Sequence, residues 1–255
     1  MFLDFLFHRH REMLSLPYKR ELHCHIIPGV DDGSDTPENS LQYVRALAEM
    51  GVENIIFTPH HTEPKFLNTP EIIEPKFHAL REEVAKAGIA VNLEDYSFEY
   101  RIDSSLIQMS ESGKWGEESC QLRPLKGRYL LIENGFNQPL YNLEDVLRDL
   151  QERGWFLIMA HPERYHYYIE RGLRPYERLA DLGVEFQCNI LSFCGYYGEH
   201  TQKMALRLLD EGLISYLGSD LHNGHHVELM QDFLRSKDYA RMRDDLVMAC
   251  NNDKI

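Results

Sequence analysis

Histidines and carboxylates recur in this 255-residue chain in a pattern suited to holding metal ions: His23-x-His25, Asp31-Asp32, His60-His61, Glu99, His161 and Asp220-x-His222. Imidazole nitrogen and carboxylate oxygen together suit zinc, manganese or iron(II), and a carboxylate can bridge two ions. Residues i and i+2 of an extended segment face the same side, so His23 and His25 can reach one ion, and Asp220 and His222 can do the same past their own strand. Each group alone has an ordinary reading. A lone His-x-His is usually a surface or core feature, Asp31-Asp32-Gly33 would pass for a turn, and His78 and His166 look structural. Recurrence at several independent strand ends favours a multinuclear metal site. His61 follows His60 directly and is expected to point away from it.

The elements that must position these residues alternate short apolar runs with longer amphipathic ones. Residues 20–25 read as a strand ending in His-Cys-His, and Thr36-Pro37-Glu38-Asn39 opens a helix to about Met50. Strand 53–58 runs into His60, helix 69–87 is closed by Gly88, and 89–93 leads toward Glu99 at an expected strand end. After a polar excursion over 111–126 come strand 128–133, helix 143–153 and strand 155–160, which stops at His161. Helix 175–182, strand 184–188, helix 199–211 and strand 214–217 follow, the last ending in Gly218-Ser219-Asp220-Leu221-His222. About seven strands carry ligand-type residues at their C-terminal ends, the arrangement of a β/α barrel. The competing open doubly wound sheet lacks support, because neither GxGxxG nor GxxxxGK[ST] occurs.

Charge narrows the partners. With 27 Lys+Arg against 41 Asp+Glu the net charge is -14, which argues against general capture of nucleic acid or anionic membrane. Five cysteines without a CxxC pair suggest neither a disulfide framework nor a zinc knuckle, and fit a reducing, cytoplasmic setting. The apolar run 1–7 is too short to span a bilayer. It is expected to pack on the protein, with a peripheral membrane foot as the alternative, so 1–18 is read as an extension and 19–255 as a single domain. Two other phosphatase or hydrolase routes are excluded. Six positions after Cys24, Cys120, Cys188 and Cys194 stand Val30, Lys126, Cys194 and His200, so no Cys-x5-Arg loop exists, and no GxSxG elbow appears.

Taken together, the blocks 23–33, Thr58-Pro59-His60, the Glu99 region, Ala160-His161-Pro162-Glu163-Arg164-Tyr165 and Ser219-Asp220-Leu221-His222-Asn223 resemble the PHP (polymerase and histidinol phosphatase) superfamily over about 21–223. Within it they are most similar to the CpsB/YwqE bacterial tyrosine phosphatases. The resemblance implies a distorted seven-stranded (β/α)7 barrel and three divalent ions, expected to be manganese with iron or zinc as alternatives. It implies that His23, His25, Glu99 and Asp220 bind one ion, that Glu99 bridges to a second held by His161, and that Asp32, His60 and His222 hold the third. Glu133 could complete the second ion's shell or lie outside it. Arg164 matches the arginine of the family's HxER segment and would grip phosphate through its planar fork. The relatives' second arginine, after DxHN, is missing: the chain reads Asn223-Gly224-His225-His226-Val227-Glu228. His225 or His226 is the expected substitute as phosphate contact or proton donor, unless substrate preference differs.

The implied reaction is hydrolysis of a phosphomonoester by metal-activated hydroxide, most simply on phosphotyrosine. The implied partner is an autophosphorylating bacterial tyrosine kinase of capsule or exopolysaccharide synthesis. The alternatives are a PHP phosphatase acting on a small metabolite of the histidinol phosphate type and, against the acidic balance, a PHP-type nuclease.

Overall fold

Alternate side chains of the strands face two different cores, and that division places the site. A computed structural model describes residues 12–255, so the run 1–7 lies outside the described residues. The elements begin with β1 (Arg20–Glu21), α1 (Pro37–Glu49), β2 (Asn54–Phe57), β3 (His60–Thr62), β4 (Phe66–Leu67), α2 (Pro70–Lys86), β5 (Asn92–Tyr96) and β6 (Glu99–Arg101). Next come α3 (Ser104–Glu111), β7 (Tyr129–Glu133), α4 (Leu143–Glu152), β8 (Phe156–Ala160), α5 (His166–Ile169), α6 (Arg174–Asp181) and β9 (Val184–Asn189). The chain closes with α7 (Ile190–Phe193), α8 (Glu199–Asp210), β10 (Tyr216–Gly218), α9 (Gly224–Leu234) and α10 (Lys237–Ala249).

These strands make seven staves. β2 and β3 are two segments of one stave and β5 and β6 of the next, since β2 pairs in parallel with β5 and β3 with β6. Parallel pairing continues through β6, β7, β8, β9 and β10. β1 pairs in parallel with β2, and a parallel bridge between Cys24 and Leu221 joins the first stave to the last. β4 folds back antiparallel on β3. The expected seven-stranded α/β barrel is therefore present, with broken staves. The strand expected over 20–25 shortens to Arg20–Glu21 because the backbone beyond it turns to other partners: Cys24 N–H donates to Thr58 Oγ1 at 3.1 Å and His25 N–H to Leu221 O at 2.9 Å. Glu99 opens β6 instead of ending a strand, in register with His60.

Leu130 and Ile132 of β7 and Leu157 and Met159 of β8 join the outer core with Val44, Leu47, Leu147 and Leu150 of the helices. The intervening Leu131 and Ile158 pack with Leu22, Ile56, Ala160 and Tyr216 as a separate inner plug. Each such buried side chain contributes roughly 1.5–3 kcal/mol. The inner plug is the floor of the site, and the next inward position of β7, two residues past Leu131, is Glu133. Caps fix where helices leave the barrel mouth. Thr36 accepts from Asn39 N–H at 3.2 Å ahead of Pro37, and the Asn223 side chain accepts from His226 N–H at 3.1 Å immediately after His222.

Candidate metal centre

His23 and His25 are fully buried, and each has its Nδ1 engaged from behind. His23 Nδ1 lies 2.6 Å from Gln187 Oε1 and His25 Nδ1 2.8 Å from Asp31 Oδ2. A carboxylate only accepts, so His25 Nδ1 carries a proton and, in the neutral ring, Nε2 presents the lone pair; the Gln187 oxygen imposes the same tautomer on His23. The two Nε2 atoms face each other at 3.3 Å, and each is 3.4 Å from Asp220 Oδ1. Two imidazole nitrogens and a carboxylate oxygen converging at these distances form a cradle that a cation would satisfy.

Glu99 stands beside this cradle. Its Oε1 is 2.8 Å from His161 Nε2 and 3.3 Å from His23 Nε2. Its Oε2 approaches His60 Nδ1 to 3.0 Å without hydrogen-bond alignment. Glu133 Oε1 lies 3.6 Å from the same His60 nitrogen. His60 Nδ1, His161 Nδ1, Glu99 Oε2 and Glu133 Oε2 are all buried without a hydrogen-bond partner. Leaving such groups unpaired costs about 1–3 kcal/mol each, so their concentration at one spot fits divalent cations. Ligand atoms fall into four overlapping groups, each within 4.8 Å: His25/His60/His222, His23/His25/Asp220, His23/Glu99/His161 and His60/Glu99/Glu133. Asp32 adjoins them at the rim, half exposed, with Oδ1 3.4 Å from His60 Nε2 and 3.6 Å from His222 Nε2.

The charges are strongly interdependent. Burial opposes the charge of Glu99, but the imidazoles of His23, His60 and His161 overcome it and hold the carboxyl well below the usual range. Glu133 is pushed up to about 7 by burial and by the charge of Glu99. His161 falls to about 4, chiefly through burial. Among the described residues His161 (φ 36°) and Asp220 (φ 49°) are the two non-glycine residues with left-handed backbone. This conformation, costing on the order of 1–3 kcal/mol, occurs where the chain leaves β8 and β10 and re-aims the side chain.

Above the clusters lies a cavity of about 590 Å³ whose walls include Asp32, Glu133, Phe136, Arg164, Tyr196, Tyr197 and His226. A larger groove of about 800 Å³, beside α4 and α6, holds none of the clustered ligands and is not the chemical centre. Arg164 Nη1 donates to Asp220 Oδ2 at 2.8 Å, and its guanidinium sits 4.8 Å from the Phe136 ring centroid and 4.1 Å from that of Tyr197. Asp220 thus gives one oxygen to the cradle and the other to the arginine. His226 lines the cavity, with Nε2 3.2 Å from the Tyr196 hydroxyl, and burial lowers it to about 4. His225 is 62% exposed, 3.8 Å from Glu228, and off the cavity wall. His61 points away, between Asn68 O at 2.7 Å and Ser105 Oγ at 2.8 Å.

A parallel α/β barrel of seven staves with overlapping His/Asp/Glu clusters at its mouth defines a metal-dependent hydrolase of the PHP class. The chain belongs to the family described as capsular polysaccharide synthesis, CpsB/CapC, whose model matches residues 20–243. It is 29% identical over 204 residues to the tyrosine-protein phosphatase YwqE of Bacillus subtilis, covering 80% of this chain and 77% of that protein. The putative tyrosine-protein phosphatase CapC of Staphylococcus aureus is 28% identical over 206 residues, 80% of this chain and 76% of the relative. The fold matches a chain from the crystal structures of YwqE from Bacillus subtilis and CpsB from Streptococcus pneumoniae, unique metal-dependent tyrosine phosphatases, with a TM-score of 0.72 and 26% identity over 91% of this chain and 95% of that one.

Proposed function

We propose that this protein hydrolyses phosphotyrosine in a protein substrate, with three divalent ions, manganese foremost, held at the barrel mouth. In this reading His23, His25, Glu99 and Asp220 hold one ion, Glu99, His161 and Glu133 a second, and Asp32, His60 and His222 the third. The carrying observation is the division of Asp220, whose Oδ1 faces the histidine cradle while Oδ2 accepts from Arg164. A phosphate-gripping guanidinium is thereby anchored at the edge of the metal cluster.

Bound divalent ions supply a water acidic enough to ionise near neutral pH and offset phosphoryl charge. Arg164 binds phosphoryl oxygens, and Phe136 and Tyr197 limit its motion so that its donors stay aimed. A tyrosine phenolate, with a pKa near 10, leaves far more easily than an alkoxide and needs less proton donation. That accords with a site whose His226 is buried, neutral and paired with Tyr196. Phe136 and Tyr196, 41% and 40% exposed, offer apolar surface to an aromatic leaving group. The relatives' names support a tyrosine-phosphorylated protein of capsule synthesis as the partner, and a kinase that phosphorylates its own tyrosines is the simplest such protein. A cytoplasmic setting is supported by the five unpaired cysteines, and no helix among the described residues is long and apolar enough to cross a membrane.

The test is a substrate panel with manganese-loaded protein: phosphotyrosine peptide, histidinol phosphate and single-stranded DNA. The proposal expects the peptide to be cleaved fastest. Faster turnover of histidinol phosphate would move the protein to the metabolite phosphatases, and DNA cleavage would make it a nuclease.

A further inference from the structure

Behind the cradle, two amides of β9 connect His23 to Asp220. Gln187 and Asn189 are two residues apart and therefore face the same side of the strand, while Phe186 and Cys188 pack in the outer core. Gln187 Oε1 lies 2.6 Å from His23 Nδ1, Gln187 Nε2 donates to Asn189 Oδ1 at 3.0 Å, and Asn189 Nδ2 donates to Asp220 Oδ2 at 2.7 Å. All four side chains are buried, with exposures of 2% or less.

The direction of this chain is forced from one end. The Asp220 carboxylate only accepts, so Asn189 must turn its NH2 toward it and its oxygen toward Gln187. Gln187 must then offer NH2 to Asn189, which leaves its oxygen for His23, whose Nδ1 has to carry the proton. In the neutral ring His23 Nε2 is thereby left with the lone pair. At the other end, with Asn189 and Arg164 occupying Asp220 Oδ2, Oδ1 is the oxygen that faces the His23 and His25 nitrogens. Gly218 keeps the room this needs: a Cβ there would lie 2.8 Å from both Gln187 Nε2 and His23 Cβ.

We propose that Gln187 and Asn189 are positioning residues, a polarity relay that locks His23 in the Nδ1–H tautomer and turns Asp220 Oδ1 toward the same ion. The inference rests on the metal-site reading above. Partners behind metal ligands typically change affinity by about 10–100-fold when altered. Gln187→Glu should act through the relay's polarity: the new carboxylate still accepts from His23, but opposes Asn189 Oδ1, so Asn189 must turn over and present oxygen to Asp220. Asn189→Ala removes the donor to Asp220 outright.

The experiment is competition with a chelating dye for Mn2+ and Zn2+, on chelator-stripped wild type, Gln187→Glu and Asn189→Ala, with thermal unfolding of each stripped protein alongside. The relay predicts binding about 10–100-fold weaker in both variants, with stripped proteins that still unfold in one cooperative transition, at midpoints lowered only as far as a lost buried hydrogen bond requires. Equal affinity in wild type and variants overturns the relay and leaves the metal site standing, whereas a wild type that binds neither ion overturns the site reading as well. A second readout needs no variant: nitrogen-15 NMR of the zinc-loaded wild type should show the His23 proton on Nδ1, and a proton on Nε2 contradicts the relay even if the variants do not fold.

Discussion

Glu133→Gln should invert its effect on stability when metal is supplied. In the stripped protein Glu133 is 2% exposed, one of its oxygens has no hydrogen-bond partner, and the charge of Glu99 is close by. Burial and that charge raise its carboxyl from the ordinary 4.5 to about 7. Below about pH 4.5 the carboxyl is protonated in both folded and unfolded chains and exerts no pH-dependent effect. Between about 4.5 and 7 the unfolded chain releases the proton and the folded chain retains it, so stability is lost as pH rises. At 1.36 kcal/mol per pH unit the full loss is about 3 kcal/mol, complete above pH 7. Glutamine does not ionise. The variant's stability minus that of wild type should therefore rise by about 3 kcal/mol between pH 4.5 and 8, measured by urea unfolding in excess chelator. Taking the difference cancels most of the titration of other groups. With divalent metal present the order reverses, because the amide is a poorer ligand than the carboxylate. A difference that stays flat with pH in the stripped proteins would refute the reasoning about burial and Glu99.

Asp31→Asn should weaken metal binding by about 10–100-fold in chelator competition, because Asp31 holds the His25 Nδ1 proton at 2.8 Å and also accepts from His60 N–H at 3.0 Å and Gly33 N–H at 3.0 Å. Arg164→Lys keeps a positive charge but loses the planar fork and its packing between Phe136 and Tyr197; a charged hydrogen bond worth about 1.5–3 kcal/mol corresponds to a fall of about 10–100-fold in kcat/KM for phosphotyrosine peptide. Inhibition by inorganic phosphate should weaken in parallel while circular dichroism stays unchanged, and unaltered phosphate inhibition would remove Arg164 from phosphate binding.

Most residues of the candidate site were legible because they stand at abrupt transitions in the sequence. His161 directly follows the apolar run of β8, and Asp220 comes just after β10. For Glu133 the signal lies in the alternation of β7: Leu131 faces the inner plug, so Glu133 also faces inward, at the mouth. Gln187 and Asn189 carry no such signal, because neutral amides in an apolar strand add no charge and their meaning depends on His23 and Asp220, distant in sequence. The breaks within the staves were invisible for a related reason. Pro59 and the Ser97-Phe98 step interrupt strands whose neighbours are fixed only by long-range pairing, and it is this pairing that sets Glu99 level with His60. That Asn223 is followed by Gly224-His225-His226, with no arginine, was plain in the sequence. That His226 would face the cavity and His225 the solvent depended on the Asn223 cap, which starts α9 and sets the face each residue occupies.

The most direct test of the account is phosphate release from a phosphotyrosine peptide by chelator-stripped protein as Mn2+ is returned, with bound metal counted in the same samples. The account predicts no turnover without metal, and activity that rises as the ions fill to about three per chain. Full turnover by the stripped protein, or a chain that binds no metal, would contradict it.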